Sequence, residues 1–324
     1  MGVARGWGMR IQSALLRLVM ATGLQADATG VSWIASSFPG VAVHEGSASR
    51  ELFTSSEFPF ELREGLIWVE VKAPEASRPL NFLLDSGAGV SVVNLSTAHK
   101  LGLPLGKQVQ VRGVGASSVG YWPERLSASA GAVALPQDYL AVDLNELGGA
   151  CRCAVDGLIG ADFFRGRVIQ IDFVAKKVRL LAESEPAGES LPLRVRHGAL
   201  EVPLSVNDAP AGWARLDTGC ASSLQWTAAK VKKTEGRMLS GGGGAKVMAV
   251  GLAGLSIPME PARVRLGTFV FDDVPTGMHT KSIFAGEAGL LGNGLLSRFE
   301  RVTIDAKSGR LLLQGGPAGK GWEN

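Results

Sequence analysis

The sequence predicts a mainly β chain of the all-β class, with short helices only, in which one folding unit is used twice. Three observations carry this reading. Phe82-Leu83-Leu84-Asp85-Ser86-Gly87-Ala88 and Ala214-Arg215-Leu216-Asp217-Thr218-Gly219-Cys220 each run an apolar, strand-like stretch into a carboxylate, a small hydroxyl residue and a glycine. Each is followed by an apolar block closing on glycine, and Asp85 to Gly160 spans the same 75 positions as Asp217 to Gly292 (160 − 85 and 292 − 217). Third, 43 glycines against 2 tyrosines and 12 phenylalanines imply many tight turns, which suit short strands better than long helices.

Composition bounds the rest. The 324 residues are 46% hydrophobic and 19% charged, which is globular and large enough for two cores of about 120 residues each. A net charge of +3, with Lys and Arg scattered rather than gathered in a stripe, lacks the electrostatic footprint of a nucleic-acid binder. Residues 1–28 read as an export signal: Arg5 and Arg10, an apolar stretch from Ile11 to Leu24, then Ala26-Asp27-Ala28 as a cleavage pattern. Arg17 interrupts that stretch, which leaves an amphipathic helix, or a chain starting at Met9, as the alternative. The expected location is therefore periplasmic or secreted, otherwise cytoplasmic. No stretch is long and apolar enough for stable membrane insertion.

Residues 29–61 show no clear periodicity and read as a leader arm or pro-segment. The N-terminal lobe is expected over 62–181. It opens on the alternating Leu66-Ile67-Trp68-Val69-Glu70-Val71, turns around Pro74 to Pro79, and returns on the strand into Asp85. Past the triplet come a helical turn at Ser96 to Leu101 and then Gly113-Val114-Gly115. Asp156-Gly157-Leu158-Ile159-Gly160-Ala161-Asp162 follows, then the acid-bearing strand Val168 to Phe173 and a closing run, Val178 to Leu181. Residues 182–190, rich in Glu, Ser, Pro and Gly, read as the linker.

The C-terminal lobe is expected over 191–316, with 317–324 as a tail. Its parts repeat in order: Leu200 to Val206, a turn, the strand into Asp217, a helical turn at Thr227 to Lys232, the run Gly241 to Gly244, Ala288-Gly289-Leu290-Leu291-Gly292, Val302-Thr303-Ile304-Asp305, and Leu311 to Leu313. Pro203, inside the first of these strands, should mark an edge or bulge. Two departures are visible: Gly294 stands where the first half has Asp162, and Cys220 where it has Ala88.

This order of motifs resembles the aspartic proteases, particularly the bacterial retropepsin-like group, over residues 62–181 and 198–315. The resemblance implies two homologous aspartic-protease-type β lobes facing each other across a cleft, as in pepsin-like enzymes, with Asp85 and Asp217 as the catalytic pair. It implies that Ser86 and Thr218 hydrogen-bond across the two loops and that Gly87 and Gly219 leave room for substrate backbone. It also places a substrate-covering flap near Gly113, Gly115 and Tyr121, with Gly241 and Gly242 at the corresponding place in the second half. Glycine hinges suit a segment that must move aside and close again; a plain surface loop is the alternative for the four-glycine run.

The chemistry follows from the pairing. Two carboxyl groups in contact cannot both ionise easily, so they share a proton and titrate as a unit; aspartic proteases are the standard example of this behaviour. The ionised member takes a proton from water while the protonated member polarises the scissile carbonyl, with no covalent intermediate. The expected function is thus aspartic endopeptidase on a polypeptide substrate, with no metal and no cofactor, active as a monomer by intramolecular lobe pairing. A non-catalytic peptide-binding protein of the same shape is the rival. Cys151 and Cys153 are too close in sequence to favour a disulfide and lack a third ligand for a metal site. Thiol catalysis by Cys220 has no recognisable histidine partner motif.

Overall fold

The structure is a computed structural model that describes residues 56–112, 117–231, 245–249, 252–279 and 288–316. In the first half the chain forms β1 (Ser56–Pro59), β2 (Glu61–Arg63), β3 (Leu66–Val71), β4 (Leu80–Leu84), β5 (Val92–Asn94), α1 (Leu95–Lys100), β6 (Lys107–Arg112) and β7 (Ser117–Arg125). It continues through β8 (Ser129–Ala130), β9 (Val133–Ala134), β10 (Asp138–Val142), α2 (Asn145–Cys151), β11 (Gly157–Ile159), α3 (Ala161–Phe164), β12 (Val168–Asp172) and β13 (Lys177–Leu181). The second half forms β14 (Glu189–Pro192), β15 (Arg194–Arg196), β16 (Ala199–Val206), β17 (Gly212–Asp217), β18 (Leu224–Thr227), α4 (Ala228–Val231) and β19 (Ala245–Ala249). Then come β20 (Leu252–Leu266), β21 (Phe269–His279), β22 (Gly289–Gly292), α5 (Asn293–Leu296), β23 (Arg301–Asp305) and β24 (Arg310–Gln314).

Two eight-stranded sheets share one order. The first runs β2-β3-β4-β11-β5-β10-β7-β6 and the second β15-β16-β17-β22-β18-β21-β20-β19. In each, a late strand is inserted between two early ones: β11 lies parallel to β4 and antiparallel to β5, and β22 lies parallel to β17 and antiparallel to β18. The insertion needs glycine. A Cβ on Gly160 would lie 2.3 Å from the backbone carbon of Val90, and one on Gly292 would lie 2.2 Å from the Ser222 carbonyl oxygen. The apolar-Gly blocks are therefore points where two backbones pass in contact.

Strands buried on both faces explain the apolar runs. Ile67, Val69 and Val71 of β3 face the large core, while Leu66 and Trp68 face a smaller cluster with Leu83 and Leu158. The large core is continuous through both halves, from Phe58 to Leu313. A third sheet joins the lobes in the order β1-β13-β12-β23-β24-β14, its centre being the antiparallel pair Val168↔Asp305 to Asp172↔Arg301.

The ends of two expected segments enter this sheet. Ser56–Pro59, read as part of a leader arm, pairs with β13, and Glu189 and Ser190, read as linker, pair with Leu313 and Leu312 of β24. The apolar central strands offer ladder hydrogen bonds on both sides, so short flanking strands complete the edges. Pro203 lies where β16 changes neighbours, between its pairing with β15 (residues 199–201) and with β20 (residues 205–206). A residue without an N–H fits that gap.

Candidate active site between the lobes

Asp85 follows the last residue of β4 and Asp217 ends β17. Both are fully buried. A Cβ on Gly87 would lie 2.5 Å from Cγ of Asp217, and a Cβ on Gly219 would lie 2.4 Å from Cγ of Asp85. Each carboxyl thus fills the space left by the glycine of the opposite loop, and the two acids meet across the junction of the lobes. The Cβ direction of each glycine is thus occupied by the partner carboxyl.

Four reciprocal hydrogen bonds lock the loops. Thr218 Oγ1 accepts from the Ser86 N–H (2.9 Å) and donates to the Leu84 carbonyl (2.8 Å). Ser86 Oγ accepts from the Thr218 N–H (3.1 Å) and donates to the Leu216 carbonyl (2.8 Å). A small hydroxyl that both donates and accepts is what each position requires. Within each loop the aspartate also accepts from backbone: Asp85 Oδ1 from Gly87 N and Ala88 N, both at 3.0 Å, and Asp217 Oδ1 from Gly219 N at 3.0 Å.

These donors favour ionisation, but burial and like charge outweigh them at Asp85. Its pKa is raised well above the ordinary carboxylate range, first by burial and then by the negative charge of Asp217, with the Ala88 and Gly87 N–H groups pulling it partly back. The arrangement sets two enclosed carboxyl groups against each other.

The halves differ around this centre. In the first, Asp162 accepts from the Ser91 N–H (2.9 Å) and Oγ (2.7 Å), and Ser91 Oγ in turn accepts from the Gly160 N–H (3.0 Å). In the second, a Cβ on Gly294 would lie 2.6 Å from Ser223 N, so no side chain fits at the position 132 residues on. The neighbouring Asn293, which corresponds to Ala161, donates from Nδ2 to the Thr218 carbonyl (2.6 Å) and to the Gly65 carbonyl of the other lobe (2.9 Å). Arg215, which corresponds to Leu83, is buried and donates from Nη1 to the Gly87 carbonyl at 3.2 Å. Sequence reasoning passed over Asn293 and Arg215. The signal for Arg215 was present: it lies two positions before Asp217, on the same side of β17, where the first half has leucine.

Tyr121 is half-buried in β7, paired with Gln108 and Ala141, and packs against the large core. Gly113, Gly115, Gly241 and Gly242 lie outside the described residues. Cys220 is buried with its Sγ 3.0 Å from Ser222 Oγ. Cys151 and Cys153 form no disulfide, and burial pushes the Cys151 thiol up to about 12. Among the described residues there is no cluster of three or more His, Cys, Asp or Glu able to hold a metal ion, and no helix long and apolar enough to cross a membrane.

Comparison with known proteins points the same way. The family profile described as aspartyl protease matches residues 69–163. Among solved structures, the aspartic proteinase from Irpex lacteus superposes with a TM-score of 0.50 at 13% identity, covering 81% of this chain and 98% of that one. A search of curated proteins finds no matching sequence. The fold is that of the aspartic proteases.

Proposed function

We propose that this chain is an aspartic endopeptidase in which Asp85 and Asp217 share one proton and together activate a water for attack on a peptide bond. The observation that carries the reading is the mutual fit of carboxyl and glycine: each acid sits in the other loop's missing side chain, so the two groups approach closely enough to titrate as a pair. In the singly protonated pair, the ionised carboxylate accepts a proton from water as the oxygen bonds to the scissile carbon. The protonated carboxyl hydrogen-bonds to the carbonyl oxygen as charge develops there. Collapse of the tetrahedral adduct then returns a proton to the leaving nitrogen, and no enzyme–substrate bond forms.

Ser86 and Thr218 keep the two loops in register, so the acids are placed before substrate arrives. One chain supplies both acids, and the active species is a monomer taking an extended polypeptide between the lobes. We also place it outside the cytoplasm, on the export-like residues 1–28.

The test is turnover of an unbiased peptide mixture from acidic to neutral pH by the wild-type protein and by Asp85→Asn and Asp217→Asn. Each variant should lose about 10²–10⁴-fold in rate, the usual contribution of a positioned acid or base. Wild-type turnover should fall as pH rises through the raised upper titration of the pair. Near wild-type cleavage by either variant would overturn the mechanism, and saturable peptide binding without cleavage would favour the binding-protein reading.

A further inference from the structure

A recess of about 410 Å³ opens on the first lobe, away from the acid pair, between α1, α2 and the segment entering β11. Its charge is one-sided. Arg78, Lys100 and Arg152 line it against a single carboxylate, Asp156. That carboxylate is already committed: Oδ2 and Oδ1 accept from Arg78 at 3.1 and 3.2 Å, from the Asn81 N–H at 2.9 Å and from Thr97 Oγ1 at 2.9 Å. Lys100 and Arg152 are exposed, and neither is ion-paired among the described residues. Two exposed cationic residues therefore line the recess outside any ion pair among the described residues.

The fold does not demand this feature. The positions 132 residues on from Arg78 and Asp156 are Pro210 and Ala288, so the second lobe dispenses with the ion pair. Its connection into β22 spans nine residues (280–288), against fourteen (143–156) for the α2-bearing connection into β11. Arg152 also occupies the left-handed position that ends α2 (φ 51°), where glycine is the least strained choice and a long cationic side chain is not required by the turn.

We propose that this recess is a binding site for a small oxyanion of charge two or more, held by Lys100 and Arg152, with Asp156 fixing Arg78 at its edge. The volume, about 410 Å³, is within the range of small-molecule pockets. Paired cations recognise both polycarboxylates and phosphates, and the guanidinium fork suits either.

Isothermal titration of the full-length protein with citrate and, separately, with inorganic pyrophosphate tests this and needs no peptidase turnover. At low salt, at least one probe should bind saturably with a dissociation constant below about 1 mM, weakening as salt rises. The double variant Lys100→Ala/Arg152→Ala should weaken it at least about tenfold, while Lys72→Ala/Lys307→Ala, also at exposed positions, should leave it unchanged. Citrate alone binding assigns a carboxylate ligand and pyrophosphate alone a phosphate one. Cys153 lines the same recess, so the bound anion should slow its alkylation in the wild-type protein. No saturable binding up to about 10 mM, or equal binding by the folded Lys100/Arg152 variant and the wild type, overturns the proposal.

Discussion

At Asp85, burial and the facing charge of Asp217 act in the same direction, and the result reaches stability as well as catalysis. A carboxyl whose folded-state pKa is raised binds its proton more tightly in the fold than in the unfolded chain. Its stabilising contribution is complete below the unfolded value of about 4 and is lost as pH rises through the folded value. Asp85→Asn keeps the shape of the protonated form without an ionisable group, so at pH 7 it should melt above the wild type. We expect a gain of at least about 2 °C, the response to about 1 kcal/mol in a chain of this size. The gap should close as pH approaches 4, and calorimetry at both pH values reads it directly; a constant gap would mean that the acid pair carries no such strain. Gly219→Ala tests the same contact sterically. Its Cβ would lie 2.4 Å from Cγ of Asp85, so it should abolish cleavage and cost about 1–3 kcal/mol in denaturant unfolding.

Among the elements, the turn after β11 and its counterpart after β22 show one architecture solved twice with different chemistry. Asp162 satisfies the Ser91 N–H and hydroxyl in the first lobe, whereas Ser223 presses against Gly294 in the second. Asp162→Ala should therefore destabilise by about 1–3 kcal/mol through a buried donor left without its acceptor, measured by urea unfolding; a loss below about 0.5 kcal/mol would refute that role. Some elements were hidden from sequence reasoning for physical reasons. The long hairpin β20–β21 carries Pro258 and Pro261, which discourage a strand reading, and register shifts between Met259 and Val264 absorb the irregularity. Helix α2 contains Gly148 and Gly149 and has no side-chain N-cap, so neither propensity nor capping announced it. By contrast β3, β4, β12 and β23 were legible, because their apolar runs match strands buried on both faces.

For the whole molecule, the lobes are joined by the β12–β23 ladder, by the shared core and by the Ser86–Thr218 lock as well as by the covalent connection. Cleavage within residues 182–188 should therefore leave the two halves co-eluting as one particle in size-exclusion chromatography without denaturant; separation into two species would show that the linker holds them. What the sequence determined by itself was the pair of acid-hydroxyl-glycine triplets, their equal spacing from an apolar-glycine block, and the β class, because these are local patterns of hydrophobicity and turn chemistry. Only the tertiary structure decided that each glycine makes room for the opposite carboxyl, that Arg215 and Asn293 reach across to the other lobe, and that Asp156 anchors a cationic recess. Such contacts join residues far apart in the chain, and their distances are set by how strands stack and lobes meet, which no spacing along the sequence encodes.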